Sequence, residues 1–358
     1  MPSNYWRAAL VPLGRRLGLL LDDISLEHAE PQGHPERAER LRAIAREVDA
    51  GGFWDRCLRV RSRPATRGEL EAAHAPRLLD LLEQDLPGHE GHIDADTYYA
   101  PKSWEAALHA AGGAVALVER AQAGDIEAGA ALVRPPGHHA TGDRPMGFCL
   151  LNNVAVAARA ALAGGARRVA IVDWDLHHGN GTQEIFWQDP GVLYVSTHQY
   201  PFYPGTGAVD EIGEGPGRGY TLNVPLPAGA GDAEYEHVFA RAIGPALRAY
   251  APDFLLISAG FDAHVRDPIG QMRLSTGAFH RLTHRLRDAV GAAPVVAVLE
   301  GGYDLEGLAS SNRAMLDALE GPAATPGGAA KAHPVAARVL GALRAALAGT
   351  PLEGAIGS

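Results

Sequence analysis

Six short apolar runs alternate with longer stretches of helical spacing, and that alternation is what most limits the folds open to this chain. The runs are LGLLL (17–21), AALV (130–133), RVAIVD (168–173), VLYVST (192–197), DFLLISA (253–259) and PVVAVLE (294–300). Each is too continuously apolar for a strand with one wet face, so each reads as a strand buried on both faces. Helical spacing predicts helices over 35–49, 102–123, 151–164, 233–250, 275–291 and 304–319, with a last Ala/Leu-rich helix at 335–348. Asn152 or Asn153 suits the cap of the third helix and Asp232 that of the fourth. Strand–helix alternation of this kind predicts an α/β sandwich, a mostly parallel sheet with helices on both faces. One such domain is expected over 17–320, after an N-terminal extension (1–16). A linker, the last helix and a mobile Gly/Pro tail are expected over 321–358.

In open parallel sheets, ligands bind beyond the carboxyl ends of the strands. The notable polar residues fall there. RPPGHHA follows the run at 130–133, DWDLHHGNG ends that at 168–173, and STHQYPFYPGTG follows 192–197. SAGFDAH and LEGGYD close the last two runs. Five loops from separate parts of the chain are therefore expected to converge on one rim.

On an extended segment, residues two apart face one way, so Asp173, Asp175 and His177 of VDWDLHHGNGTQ (172–183) are expected to point together. Acids and imidazoles in an apolar setting are costly unless paired or metal-bound. Asp175 and His177 are spaced to ligate one divalent ion, and Asp262 in GFDAH can supply a third ligand. Two carboxylates and one imidazole leave open positions, as a catalytic site does. Zinc (Zn2+) leads, and the oxygen-rich set also accepts Fe2+, Co2+ or Mn2+. Taken alone, an Asp-x-His pair reads as a salt-bridged strand end; four further polar loops at the same rim weigh against that. The tandem His138–His139 follows a stiff Pro-Pro-Gly turn, and Asp173 can orient one ring and Asn180 the other. A carboxylate partner favours the imidazolium and an amide does not, so the pair can divide into a cationic stabiliser and a neutral base. Tyr303, after two glycines, can set a phenol near the metal, though an ordinary half-buried tyrosine fits equally well.

The formal net charge of −10 argues against nucleic-acid binding through a basic surface. Cys57 and Cys149 form no zinc-finger or redox spacing and read as thiols in a reducing compartment. The apolar run after Arg15 and Arg16 is short for a signal peptide, and no segment reaches the roughly 18–20 apolar residues of a membrane span. A cytoplasmic protein without membrane contact is expected.

The motifs together resemble the zinc-dependent histone deacetylase family, including its bacterial members and the acetylpolyamine amidohydrolases. The resemblance runs through HPERAERLRAI (34–44), LVRPPGHHA, GFCLLNNVAVAA (147–158), VDWDLHHGNGTQ, YPGTG (203–207), SAGFDAH and LEGGYDLEGLA (299–309). Asn180 and LEGGY resemble the class II branch. The resemblance implies the arginase/deacetylase-type three-layer fold, with Asp175, His177 and Asp262 as zinc ligands. His139 would be the general base and acid, with His138 paired to Asp173 and Asn180 beside His139. Tyr303 would help polarise the acyl carbonyl. It also implies an acyl-lysine tunnel between Phe148 and Tyr203, the second often Phe in relatives, with Gly147 leaving the wall room and Arg40 near an internal cavity. Potassium (K+) is implied at Asp173, Asp175, His177 and Ser196, and again near Phe186, Asp189, Val192 and Tyr220. The implied activity is removal of acetyl or other acyl groups from lysine ε-amines of a protein or peptide, by an enzyme that can form homo-oligomers.

Two alternatives share the architecture. An acetylpolyamine amidohydrolase would want an acid at the tunnel mouth; where one polyamine-selective branch carries Glu, this chain has Ile269. Asp94, Asp96 and Thr97 are candidate rim residues for substrate backbone or a cation. An arginase-like ureohydrolase would hold two manganese ions, and the tandem histidines and Gly-Gly-Tyr do not fit it.

Overall fold

The computed structural model describes residues 16–321 and 333–357, so the expected N-terminal extension and most of the expected linker lie outside the described residues. Its strands are β1 (Leu17–Leu20), β2 (Leu58–Arg59), β3 (Gly91–His92), β4 (Tyr98–Tyr99) and β5 (Ala128–Ala131). There follow β6 (Val169–Asp173), β7 (Val192–Gln199), β8 (Thr221–Leu226), β9 (Phe254–Ala259) and β10 (Val295–Leu299). β3 and β4 make a small antiparallel ribbon. The others form one sheet in the order β2-β1-β5-β10-β9-β6-β7-β8, with every pair parallel. All six expected strands are present. β8 escaped the reading of apolar runs because Asn223 and Pro225 interrupt it, and a proline is tolerated there because β8 is an edge strand.

Strict alternation divides the buried strand residues between two cores. Ala170, Val172, Leu193, Val195, Leu255 and Ile257 pack into one cluster with the helices Glu39–Ala50, Thr276–Val290 and Leu305–Glu320. Val169, Ile171, Val192, Tyr194, Phe254 and Leu256 pack into the other with Ser103–Gln122 and Asn153–Ala163. The result is a three-layer sandwich, with helices on both faces of the sheet. Asn152 caps its helix, its side chain accepting the Ala155 N–H at 3.0 Å. Asp232 does not act as a cap: it lies inside the helix behind Gly231, and its carboxylate accepts from Ser275 and Arg281. The tail expected to be mobile packs instead, with Leu352 and Ile356 buried in the first cluster. Among the described residues no helix is long and apolar enough to cross a membrane.

A buried ion cluster ties the loop after β5 to residues 36–40 and Tyr98. Glu36, fully buried, accepts from Arg40 Nη1 (3.0 Å), Arg134 Nη2 (2.8 Å) and the Tyr98 hydroxyl (2.8 Å). Burial opposes its ionisation, but the guanidiniums of Arg134 and Arg40 override that and hold its carboxyl well below the usual range. Glu36→Ala leaves two buried guanidiniums without their anion and should destabilise the fold by about 3–5 kcal/mol, read by urea unfolding at neutral pH. Because the folded pKa is depressed, this contribution is complete above the unfolded value of about 4.3 and fades as pH falls below it. A loss under about 1 kcal/mol, or one unchanged at pH 3, would contradict this account.

Candidate metal centre and catalytic cleft

The five loops meet because their strands are neighbours: β5, β10, β9, β6 and β7 run consecutively across the sheet. β6 stops at Asp173, flanked by Ser258 of β9 and Ser196 of β7. Beyond it the expected strand alternation gives way to a polar turn. Each acid accepts the N–H two residues on, Asp173 Oδ1 from Asp175 (3.1 Å) and Asp175 Oδ1 from His177 (2.8 Å). Short acidic side chains compete in this way with the sheet ladder and end it.

Asp175, His177 and Asp262 are all buried, and one donor atom from each lies within 4.8 Å of the other two. His177 Nδ1 is 2.9 Å from Asp262 Oδ2 and 3.2 Å from Asp175 Oδ1. Backbone amides hold the other carboxylate oxygens: Leu176 N–H donates to Asp262 Oδ1 (2.8 Å) and Gly301 N–H to Asp175 Oδ2 (2.9 Å). Gly260 makes room for this cradle, since a Cβ there would stand 1.9 Å from Asp175 Oδ2. Burial and the facing charge of Asp175 lift Asp262 to about 7. Burial works against a cationic His177, yet the carboxylates of Asp175 and Asp262 raise it to about 9. Both groups drift toward protonation because the site is short of positive charge, and a divalent cation supplies it. The donor set therefore fits a metal with open positions.

Beside this group, His138 Nδ1 lies 3.0 Å from Asp173 Oδ2, and His139 Nδ1 lies 2.8 Å from Asn180 Oδ1, with the two rings 4.1 Å apart. Burial opposes the imidazolium of His138, but Asp175 and Asp173 outweigh it and lift the group to about 10. Burial, with the neighbouring His138 and His177, holds His139 well below the usual range. The carboxylate partner thus favours the charged form of one ring, while the amide-paired neighbour favours the neutral form. Asp173 is further held by the Tyr194 hydroxyl (3.2 Å).

A cavity of about 260 Å³ opens onto these groups, lined by His138, His139, His177, Phe148, Tyr203 and Tyr303. Asp96, Ile269 and Gly147 also line it. Gly147 has φ +56°, and a Cβ on it would stand 2.5 Å from the His139 ring, so its lack of a side chain makes room for the base. Phe148 holds φ 70°, strained for a residue with a side chain, and its N–H donates to Thr97 Oγ1 (3.2 Å). Tyr303 lies edge-on to Phe148 at 5.9 Å, and burial keeps its hydroxyl protonated.

A family profile described as "Histone deacetylase domain" matches residues 34–319. The chain belongs to the histone deacetylase family. It is 45% identical over 309 residues to "Histone deacetylase 15" of Arabidopsis thaliana, covering 84% of this chain and 56% of that protein. It is 39% identical over 312 residues to "Polyamine deacetylase HDAC10" of Homo sapiens, covering 83% and 46%. The chain thus spans about half the length of these two relatives. Its fold is similar to the crystal structure of the HDA15 HD domain, with a TM-score of 0.88, 41% identity, and coverage of 95% of this chain and 96% of the other.

One expected rim residue lands elsewhere. Thr97 is fully buried and holds Phe148 rather than facing the cleft, while Asp94 Oδ1 holds the Asp96 and Thr97 N–H groups (3.0 and 2.6 Å). Arg40, expected near an internal cavity, is buried behind the cleft, its guanidinium carbon 5.1 Å from the Tyr303 ring centroid and its Nε donating to the Gly302 carbonyl (2.7 Å). Near the two suggested potassium sites, Ser196 Oγ bonds His198 Nδ1 (2.9 Å), and the Asp189 N–H donates to the Phe186 carbonyl (3.0 Å) as the chain turns toward Val192. The Tyr220 carbonyl accepts the Tyr194 N–H (2.9 Å).

Sequence reasoning missed two acids. Asp267 Oδ2 accepts the Tyr303 N–H (2.7 Å) and its Oδ1 the Ile269 N–H (3.0 Å), joining the phenol's loop to the cleft mouth. Glu300 accepts the N–H groups of Gly137 and His138, at the start of the tandem histidines. A charged residue closing the apolar run PVVAVLE was the available signal for Glu300.

The cradle makes a prediction. Gly260→Ala and Asp262→Ala, the first displacing and the second deleting a carboxylate, should each weaken zinc binding by at least about tenfold. Calorimetric titration of metal-free protein reads the change, and affinity within twofold of the parent in both would contradict this assignment.

Proposed function

We propose that the chain is a zinc-dependent amidohydrolase that removes acetyl or other acyl groups from lysine ε-amines. The observation that carries this reading is the pairing of His138 with a carboxylate and His139 with an amide, at 3.0 and 2.8 Å, beside the three-donor group. Asp175, His177 and Asp262 would hold the ion, and potassium would bind near Asp173, Ser196 and the Phe186–Val192 turn. When bound, a divalent ion supplies a Lewis acid for the acyl carbonyl and lowers the pKa of an attacking water.

His139, neutral and aimed by Asn180, takes the proton as the water oxygen bonds to the carbonyl carbon. His138, held cationic by Asp173, stabilises the negative charge that develops. The Tyr303 hydroxyl donates to the oxygen of the tetrahedral intermediate. His139 then returns its proton to the nitrogen as the C–N bond breaks, leaving a free amine and a carboxylate. Phe148 and Tyr203 suit the apolar stem of an acyl-lysine, and Tyr203, 38% exposed, stands at the mouth.

Asp96 at the same mouth favours a second reading, an acetylated polyamine whose distal ammonium it would meet. Ile269, also at the mouth, offers such a cation nothing, and Asp96 can equally accept peptide backbone N–H groups, so acyl-lysine is preferred. A binuclear arginase-like site gains no support, because a single three-donor group is found among the described residues. The deciding experiment assays the purified chain in parallel on acetyl-lysine peptides, longer acyl-lysine peptides and acetylated polyamines. A kcat/KM higher for a polyamine than for every peptide would overturn the substrate assignment.

Three substitutions test the division of labour. Tyr303→Phe should lower kcat by roughly 10²–10³ with little change in KM, the scale for losing one oxyanion donor. His139→Ala should be nearly inactive while His138→Ala keeps measurable turnover; the reverse order would exchange their roles. Asn180→Asp places a charge beside His139, raises its pKa, and should move the acid limb of the pH–rate profile upward. An unmoved limb would mean that Asn180 does not orient the base.

A further inference from the structure

We propose that Glu300 is a positioning residue that fixes the tandem histidines relative to the Tyr303 phenol. The kinetic consequences rest on the function proposed above; the geometry does not. Glu300 directly follows β10, three residues before Tyr303, and is fully buried. Its carboxylate reaches across the rim. Oε2 accepts the N–H groups of Gly137 (2.6 Å) and His138 (3.1 Å), and Oε1 accepts the hydroxyl of Ser258 on β9 (3.1 Å). Its carbonyl accepts Arg40 Nη2 (2.5 Å), and Arg40 Nε binds the Gly302 carbonyl (2.7 Å). The segment that carries Tyr303 is therefore anchored from behind by Arg40, and it anchors the histidine loop in turn.

The histidine loop has other supports: Arg134 at its start reaches the Tyr303 segment only indirectly, through Glu36 and Arg40, and the rest lead elsewhere. Asn153 Nδ2 donates to the Pro135 carbonyl (3.0 Å), and the His138 carbonyl accepts from Gly181 (3.1 Å) and Thr182 (3.2 Å). These tie the loop to the helix at 153–163 and to the loop beyond β6. Among the described residues, the hydrogen bonds joining residues 134–139 to residues 299–304 are those of the Glu300 carboxylate. Base and phenol act on opposite ends of one amide, so an error of about 1 Å between them costs on the order of 10² in rate.

A purely structural Glu300, capping two buried N–H groups, makes a different prediction from a positioning one. With an acetyl-lysine peptide, Glu300→Ala should lower kcat about 10²-fold, with KM within about threefold and one divalent ion still bound per chain. Glu300→Gln keeps an acceptor for the two N–H groups and a partner for Ser258, and should recover most of the loss. In a Tyr303→Phe background, Glu300→Ala should cost far less, because the two residues act through one geometry. Parental kcat in Glu300→Ala, or a full multiplicative loss in the double variant, would overturn the proposal. Amide hydrogen exchange supplies a test free of turnover. Exchange in 135–139 and 300–304 should quicken together in Glu300→Ala and not in Glu300→Gln, and unchanged exchange in Glu300→Ala overturns the proposal. A chain that hydrolyses no acyl-amine but shows this exchange pattern would sink the proposed function and leave the positioning role standing.

Discussion

Everything at the rim depends on keeping negative charge out of water. Asp173, Asp175, Asp262 and Glu300 are all fully buried within one cluster of strand ends. Carboxylates this close cannot all ionise without compensation, because each desolvated charge raises the cost of the next. The chain compensates Asp173 with His138 and Tyr194, and Glu300 with two backbone N–H groups and Ser258. Asp175 and Asp262 are left facing the same His177 nitrogen. That residual deficit is what a divalent cation would relieve, beside a histidine pair whose partners are a carboxylate and an amide.

The sheet makes this arrangement affordable. Five consecutive parallel strands end together, so five loops reach one point while their strands stay in two apolar cores. Beside the histidine loop, Glu36 with Arg40 and Arg134 forms a second buried ionic cluster, and Arg40 ties it to the Gly302 carbonyl next to Tyr303. The candidate groups thus sit on short loops that leave buried strand ends and are tied down by buried hydrogen bonds.

Much of this was legible in the sequence. Continuous apolar runs revealed the six central strands, and Asp175, His177 and Asp262 could be picked out because polar residues at a strand end need a reason. Edge strand β8 was not legible, since Asn223 and Pro225 break its pattern and only its position at the sheet edge tolerates them. The role of Glu300 was hidden because it lies in contacts 162 and 163 residues away in sequence. Thr97 was expected at the rim with Asp94 and Asp96; Asp96 lines the cavity, but the turn held by Asp94 buries Thr97, whose hydroxyl holds Phe148. Asp173, Asp175 and His177 do gather, although the strand that was to align them ends at the first of the three.

The central claim is that one cation, held by Asp175, His177 and Asp262, is what the rest of the site is built to use. Adding zinc stepwise to metal-free protein, while counting bound ions and measuring acetyl-lysine peptide hydrolysis on the same samples, tests it directly. The account predicts that turnover rises in proportion to bound zinc and saturates at one ion per chain. Saturation at two ions, or full turnover from metal-free protein in the presence of a chelator, would contradict it.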